Sequence, residues 1–539
     1  MSIKQKLMEI IKNSLDDLNI TTDKDIIIET PKDTNNGDYS TNIALLLAKE
    51  LKDNPLNIAS KIKDSISDKL IKSIDVVAPG FINIVISEDY LLNNLNHILK
   101  EKNKYGKNNI GNNKKINIEY VSANPTGLLH IGHCRGAAYG DNLSRILSFS
   151  GYDVTREFYV NDSGNQMNNL AISIKERYKE VCGLECNLPE DGYHGKEIID
   201  LAQRIYDLYK DSKLDDELDF FKQEGLEYFL NNLKSDLDTY RVNFDIFTSD
   251  QSLYDSGKFD TTLNKLKNSD KCFIEDGALW LRTTDYGDDK DRVLIKSDGN
   301  YTYFLPDIAY HEDKYNRGYD ELIDVLGSDH HGYVKRLKAA IEIIGKDPDK
   351  LDIKILQMVR LIKDGEEIKL SKRTGKTLTL NDLIEEVGVN GTRYFFSSKS
   401  LDTQMDFDIS LATKENNDNP IYYIEYANAR ICSILNKYHY KEESIKEFRT
   451  LLNEDTYIIL KKLCDFEDTV INAALKRMPH IIANYAYELA SLFHSYYAKE
   501  KIITENDEET NEKIMLVRAI KIVLNNALDL IGIIPREQM

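Results

Sequence analysis

The stretch Ile116-Asn117-Ile118-Glu119-Tyr120-Val121, broken by Ser122-Ala123-Asn124-Pro125-Thr126-Gly127 and resumed as Leu128-Leu129-His130-Ile131-Gly132-His133, decides how this chain folds. The first run is an apolar strand that stops at a polar, Pro- and Gly-bearing turn. The second opens a helix with small or apolar residues at Ala137, Ala138, Leu143, Ile146 and Leu147, ended by Gly151. Tyr152 to Val160 is the next strand. The unit is β-α-β, with a Gly-bearing helix N-terminus aimed at the carboxyl end of a strand, where open α/β sheets bind nucleotides.

His130 and His133 are three residues apart in the first turn, so they share a face beside backbone N–H groups that the helix leaves unpaired. Gly132, between them, removes a side chain where a ribose or base would lie. A neutral imidazole donates to a phosphate oxygen without carrying a full charge, and a donor of that kind is worth ~3 kcal/mol of barrier. Any HxxH occurs often by chance, so the pair needs a second feature to carry weight.

That feature is Lys369-Leu370-Ser371-Lys372-Arg373-Thr374-Gly375-Lys376, after a strand expected over Ile353 to Ile362 and a turn at Asp364-Gly365. It holds four basic residues and no acidic one in a chain of net charge −20. A basic loop of this kind suits a polyphosphate, with each lysine a compact charge on a flexible stem.

The two motifs together resemble the signature pair of class I aminoacyl-tRNA synthetases. Glu119-Tyr120-Val121-Ser122-Ala123-Asn124-Pro125-Thr126-Gly127, Tyr301-Thr302-Tyr303-Phe304-Leu305-Pro306-Asp307-Ile308-Ala309-Tyr310 and Gly327-Ser328-Asp329-His330-His331-Gly332-Tyr333 narrow the resemblance to arginyl-tRNA synthetases, over nearly the whole chain. The resemblance implies ATP-dependent attachment of L-arginine to tRNA(Arg) through an arginyl adenylate, with release of AMP and pyrophosphate. It implies phosphate contacts by His130, His133, Lys369 and Lys372, with Mg²⁺ sharing the charge. Gly127, Gly132, Ser371 and Asp329 are the implied ATP contacts. Glu119, Asn124, Tyr303, Asp307 and His330 are the implied arginine contacts. A guanidinium offers five donors in a fixed fork and needs planar anionic acceptors, which suits Asp307 as a bidentate partner with Tyr303 one turn away. Asp307 would otherwise be a helix N-cap after Pro306. Leu370 departs from the family's usual Met, a volume-conserving change.

The length of 539 residues suggests about three or four domains. The expected fold is α/β: a Rossmann-like parallel-sheet catalytic domain over 111–410, an N-terminal α+β module over 1–110 and a C-terminal α-helical bundle over 411–539. In the first module, Lys4 to Leu18 has a helical period, Ile26 to Thr30 and Phe81 to Ile86 are strand-like, and the Asn/Gly/Lys-rich segment 100–115 is the expected linker. The resemblance gives this module a contact with the D-loop corner of tRNA. Asn161 to Gln166 is expected to cap a helix opening a helical insertion at about 163–250, too short for an editing domain; arginine has few near-isosteres that would require one. In the last domain Asn419-Pro420 opens a helix with Tyr422, Tyr423, Tyr426 and Arg430, which suit a splayed anticodon. A later stripe, Ile482, Tyr485, Leu489, Leu492, Phe493 and Tyr496, is expected to be core, and Ile533 to Arg536 a tail tucked against the bundle.

Acidic composition weighs mildly against a nucleic-acid partner, but phosphate binding depends on local basic patches. No apolar run reaches the ~18–20 residues of a membrane span, and Met1-Ser2-Ile3-Lys4-Gln5-Lys6 lacks the apolar stretch of a signal peptide. A cytoplasmic monomer with no resident metal and six free cysteines is expected. A synthetase for cysteine or glutamate would need zinc-ligand cysteines or a basic pocket, and a non-catalytic tRNA-binding paralogue would carry a damaged motif; the sequence has neither.

Overall fold

The computed structural model describes residues 1–330, 332–368, 378–438 and 448–539. Helix α1 (Ile3–Asp17) starts where Ser2 and Gln5 form a capping box, and it buries the stripe Ile3, Leu7, Ile11 and Leu15. Then come β1 (Tyr39–Thr41), α2 (Ile43–Leu51), α3 (Pro55–Ser65), β2 (Ile71–Val77), β3 (Phe81–Ile86) and α4 (Glu88–Glu101). The strands form an antiparallel sheet in the order β1-β3-β2. The strand expected at Ile26 to Thr30 is reduced to one bridge, Glu29 to Ser40, because β1 offers only three residues to pair with. The segment 100–115 is not a free linker. The Tyr105 hydroxyl donates to the Leu463 carbonyl, and Gly106 and Gly111 lie against the rings of Phe466 and Tyr152. Its Asn and Gly residues serve tight turns, with positive φ at Gly106, Asn112 and Asn113.

The central part of the chain begins with β4 (Lys115–Glu119), α5 (Ile131–Phe149) and β5 (Asp153–Val160), the unit expected from the sequence. Helices α6 (Gly164–Val181), α7 (Lys196–Tyr209) and α8 (Leu218–Thr239) form the crossover to β6 (Ile246–Ser249), around their own core of Met167, Leu170, Ile174, Phe221 and Phe229. The expected cap at the start of α6 is absent. Ser163 turns its hydroxyl to Asp250 instead, drawn by a charged acceptor. After α9 (Asp250–Asp255) and α10 (Lys258–Lys267), β7 (Cys272–Glu275), β8 (Ala278–Leu281) and β9 (Arg292–Ile295) make a small antiparallel sheet. Helix α11 (Phe304–Asn316), β10 (Glu321–Gly327), α12 (Tyr333–Ile343) and β11 (Leu351–Leu356) complete the main sheet, ordered β11-β10-β4-β5-β6 and parallel throughout.

The single strand expected over Ile353 to Ile362 is two. β11 ends at Leu356, and β12 (Val359–Lys363) starts a second sheet with β13 (Glu366–Glu367) and β14 (Met405–Asp408). The buried Arg135 accounts for the break: its guanidinium donates to the carbonyls of Gln357, Ser400 and Thr403, so the Gln357 carbonyl bonds across to a side chain. Between β13 and β14 lie α13 (Leu380–Val387) and α14 (Val389–Ser397); α15 (Ile409–Ala412) follows β14.

Helices α16 (Pro420–Lys437), α17 (Glu454–Cys464), α18 (Phe466–Lys476), α19 (His480–Lys499) and α20 (Asp507–Leu530) form the C-terminal bundle. Ile482, Tyr485, Leu489, Phe493 and Tyr496 on α19 are core, and Leu492 is half-buried. The tail folds back: Asn390 donates to the Ile534 carbonyl and Asn428 to that of Arg536. The fold class is the expected one, a parallel-sheet core between a small sheet module and a helical bundle. The six cysteines are free.

Candidate active site

From β4 the chain winds through α5 to β5 on one side; β10 and β11 lie on the other. The crevice between the carboxyl ends of β4 and β10 is therefore the switch point of the sheet, where open α/β folds take ligands. Register sets Asp324 of β10 opposite Glu119 of β4. Past Glu119 the backbone kinks, with Val121 at φ 69 and Ser122 at φ 39. A β-branched residue at positive φ costs ~1–3 kcal/mol and marks a place where the surroundings enforce a shape. Here Ser122 folds back, donating to Glu119 Oε1 (3.0 Å) and accepting from the Tyr159 N–H (3.1 Å).

His130 is the N-cap of α5, and the two histidines form a capping box of their own. His130 Nδ1 accepts from the Gly132 N–H (3.2 Å), and His133 Nδ1 accepts from the His130 N–H (3.3 Å). A backbone N–H can only donate, so each Nδ1 is bare and each neutral ring carries its proton on Nε2. The rings lie 3.9 Å apart between centroids. Gly132 is exposed, and a Cβ there would sit 3.0 Å from His130 Cε1. Gly127 is half-buried, and a Cβ there would meet nothing within 4 Å.

Lys369, Ser371 and Lys372 lie outside the described residues. Their flanks are described. Upstream is the β12–β13 hairpin, turned at Asp364 and Gly365 (φ 54 and 82). Downstream, Thr379 forms a bridge with His130, and the Leu380 N–H donates to the Leu129 carbonyl (2.8 Å).

Asp307 stands in the first turn of α11, with Tyr303 at the N-cap. It is already engaged: the Tyr333 hydroxyl donates to Oδ2, and His311 Nδ1 is 3.0 Å from Oδ1. Bidentate acceptance of a guanidinium would thus use the second lone pairs of both oxygens. Glu119 is 8% exposed and pairs with Lys314 Nζ at 2.6 Å. Lys314, fully buried, also reaches Asp324 (2.6 Å), which in turn meets His311 Nε2 (2.7 Å). Glu119 and Asp307, far apart in sequence, are thereby joined. Tyr303 is 78% exposed, the exposed Asn124 accepts from Asn161 (3.2 Å), and Asp329 and His330 lie in the exposed turn after β10, His330 edge-on to Tyr333.

Burial would lower His311, but Asp307 and Asp324 outweigh it and push it up to about 10. Burial also works against Asp324, yet Lys314 and His311 hold it well below the usual carboxylate range. Burial pushes the Glu119 carboxyl up against the pull of Lys314. His311, Asp324, Lys314 and Tyr333 are absent from the sequence-based site. One signal could have found them: an acid inside the apolar strand Leu322-Ile323-Asp324-Val325-Leu326 demands a buried cation. Among the described residues no group of three or more His, Cys, Asp or Glu side chains is gathered as for a metal.

The β4–α5 unit thus offers N–H donors at a helix N-terminus, and the ends of β4 and α11 offer carboxylates for a cationic group. Comparison with known proteins gives the family. The family model "tRNA synthetases class I (R), catalytic domain" matches residues 94–406, "Arginyl tRNA synthetase N terminal domain" residues 5–86, and "DALR anticodon binding domain" residues 424–539. "Arginine--tRNA ligase 1" of Halalkalibacterium halodurans is 47% identical over 550 residues, covering 100% of this chain and 99% of its own. "Arginine--tRNA ligase" of Bacillus subtilis is 49% identical over 527 residues, covering 95% and 94%. The solved "Thermus thermophilus arginyl-tRNA synthetase" shares the fold, with a TM-score of 0.80 at 21% identity over 100% of both chains.

Proposed function

We propose a division of labour for this site from the premise that the chain belongs to the arginyl-tRNA synthetases of class I and attaches arginine to tRNA(Arg) at the expense of ATP. Arginine, ATP and tRNA(Arg) are its substrates, and AMP and pyrophosphate leave after passage through an arginyl adenylate.

The arginine carboxylate, already ionised, attacks the ATP α-phosphate in line and needs no general base. His130 and His133 donate Nε2–H to the phosphates, and Lys369 and Lys372 hold the β and γ groups. Mg²⁺ comes with ATP as part of the substrate. Gly127, Gly132, Ser371 and Asp329 border the nucleotide. Asp307 takes the guanidinium bidentately, with Tyr303 as a wall or hydroxyl partner; Glu119 and Asn124 hold the α-amino or carboxylate end, and His330 is a further arginine contact. The observation that carries this reading is the Thr379–His130 bridge, which ties the downstream flank of the lysine-bearing segment to the histidines. Arginine- and tRNA-dependent ATP–pyrophosphate exchange tests it. Lys372→Ala should slow exchange by orders of magnitude with ATP binding nearly intact, and full speed would make the basic segment a bystander. Asp307→Ala should raise the arginine KM, or abolish activity, in a folded protein; unchanged arginine kinetics would remove Asp307 from the pocket.

For the rest of the chain we assign residues 1–110 to the D-loop corner of tRNA, 111–410 to catalysis and 411–539 to the anticodon. Support for the last is a partly exposed aromatic cluster: Tyr423 lies 4.3 Å from His494, and Arg430 covers Tyr426 (4.5 Å) and Tyr497 (4.6 Å). Base stacking on aromatic and guanidinium planes is how such surfaces read splayed RNA. No described helix is long and apolar enough to cross a membrane. A cytoplasmic monomer without editing activity completes the reading; gel filtration tests the monomer.

A further inference from the structure

We propose that His311, Asp324 and Lys314 are positioning residues, a buried chain of alternating charge that fixes the spacing of Glu119 and Asp307 and keeps Glu119 an anion. The inference rests on the assignment of those two carboxylates to the arginine pocket.

The chain is continuous. Asp307 Oδ1 meets His311 Nδ1 at 3.0 Å, His311 Nε2 meets Asp324 Oδ2 at 2.7 Å, Asp324 Oδ1 meets Lys314 Nζ at 2.6 Å, and Lys314 Nζ meets Glu119 Oε2 at 2.6 Å. The three middle members are 3%, 2% and 0% exposed, so none has water to fall back on. Two rigid elements hold them. Asp307, His311 and Lys314 follow one another at helical spacing on α11, and Asp324 is locked opposite Glu119 by the sheet register. Neither end can move without stranding a buried charge, which is what keeps such networks in one geometry.

The charge count has a consequence. Three carboxylates face two cations, which leaves one negative charge shared along the chain. One arginine, with a net charge of +1, its guanidinium at Asp307 and its α-amino end at Glu119, brings the sum to zero. Without Lys314, the groups left around Glu119 among the described residues would be Asp324 and His311 from the chain, the nearby Tyr310 and Tyr159, whose hydroxyl donates to Asp250 instead, and the Ser122 hydroxyl. Burial would then favour its protonated form near neutral pH, in the direction its carboxyl is already pushed. A protonated Glu119 no longer offers a full anion to the α-ammonium group of arginine.

The test is Lys314→Met, read by arginine and ATP titrations of ATP–pyrophosphate exchange between pH 7 and pH 9. The arginine KM should rise at least ~10-fold at pH 7 and fall back as pH rises and Glu119 ionises, while the ATP KM stays within ~2-fold. A general loosening of the fold would move both constants together and without the pH trend, and that result overturns the proposal. Should Lys314→Met fold poorly, His311→Gln frees Asp307 at the other end and should raise the arginine KM alone; an unchanged arginine KM in that variant overturns the proposal equally. Glu119→Gln and Asp307→Asn separate the two failures. If they raise the arginine KM and Lys314→Met does not, the pocket stands and the chain falls. If they leave it unchanged, the pocket assignment falls and the chain with it.

Discussion

His311 makes a proton part of the fold. In the unfolded chain it titrates near 6.5; in the fold, against the effect of burial, Asp307 and Asp324 push it up to about 10. A raised folded-state pKa gives stability that is fully present below about pH 6.5 and lost as pH rises through about 10. Wild type and His311→Gln should therefore differ most in denaturant midpoint near pH 6 and converge toward pH 10, by on the order of 4 kcal/mol. A gap that stays constant over that range would show a neutral imidazole in the fold. This residue also marks where sequence reading of the site stopped. Glu119 and Asp307 could be proposed from the sequence because they sit at the end of a strand and the start of a helix, inside words with a family resemblance. His311 and Lys314 were not, because charged residues at helical spacing usually mean a solvated face. Only Asp324, an acid within an apolar strand, betrays that this face is buried, and it does not say which cation answers it.

At the scale of elements, the β4–α5–β5 unit was legible because its period changes from two to 3.6 and back at Gly- and Pro-marked breaks. The split at Gln357-Met358 was not: one apolar run continues through two strands of different sheets, and the cause, Arg135, lies more than two hundred residues away. Helix α5 itself depends on close approach to β4. A Cβ added at Gly140 would lie 2.1 Å from Cγ of the buried Tyr120 ring, whereas one at Gly136 would meet only Leu356 Cδ2 at 3.8 Å. Alanine gains up to ~1 kcal/mol over glycine inside a helix, but overpacking a rigid ring costs ~1–3 kcal/mol, so at Gly140 the overlap wins. Gly140→Ala should lower the melting temperature and slow adenylate formation, since α5 carries His130 and His133 on its first turn. Gly136→Ala should leave melting unchanged or raise it slightly. Equal melting shifts in the two variants would deny that Tyr120 sets the distance between helix and sheet.

Across the whole molecule, the two ends of the chain are fastened to distant parts. The first residues dock on the bundle, where Ser2 and Lys4 bind Asp468 and Tyr39 binds Asp465. The last residues return to the catalytic core through Arg393. That side chain is fully buried and donates to the Ile531 carbonyl (2.9 Å), the Tyr240 carbonyl (2.9 Å), Asp141 (2.5 Å) and Asn142 (2.7 Å). One guanidinium thus joins the tail, the end of the helical crossover and α5. Arg393→Met keeps much of the volume but leaves Asp141, also fully buried, with Arg145 as its one remaining ion-pair partner among the described residues. Breaking a buried pair in this way costs ~3–5 kcal/mol. The loss should fall unevenly, because the single tryptophan, Trp280, is on β8 in the small antiparallel sheet, away from these contacts. In urea, circular dichroism, dominated by the helices, should report an earlier midpoint for Arg393→Met than for wild type, with Trp280 fluorescence lagging behind it. Coincident transitions shifted by less than ~1 kcal/mol would mean that packing along α14 and α20, rather than this guanidinium, holds the bundle to the catalytic core.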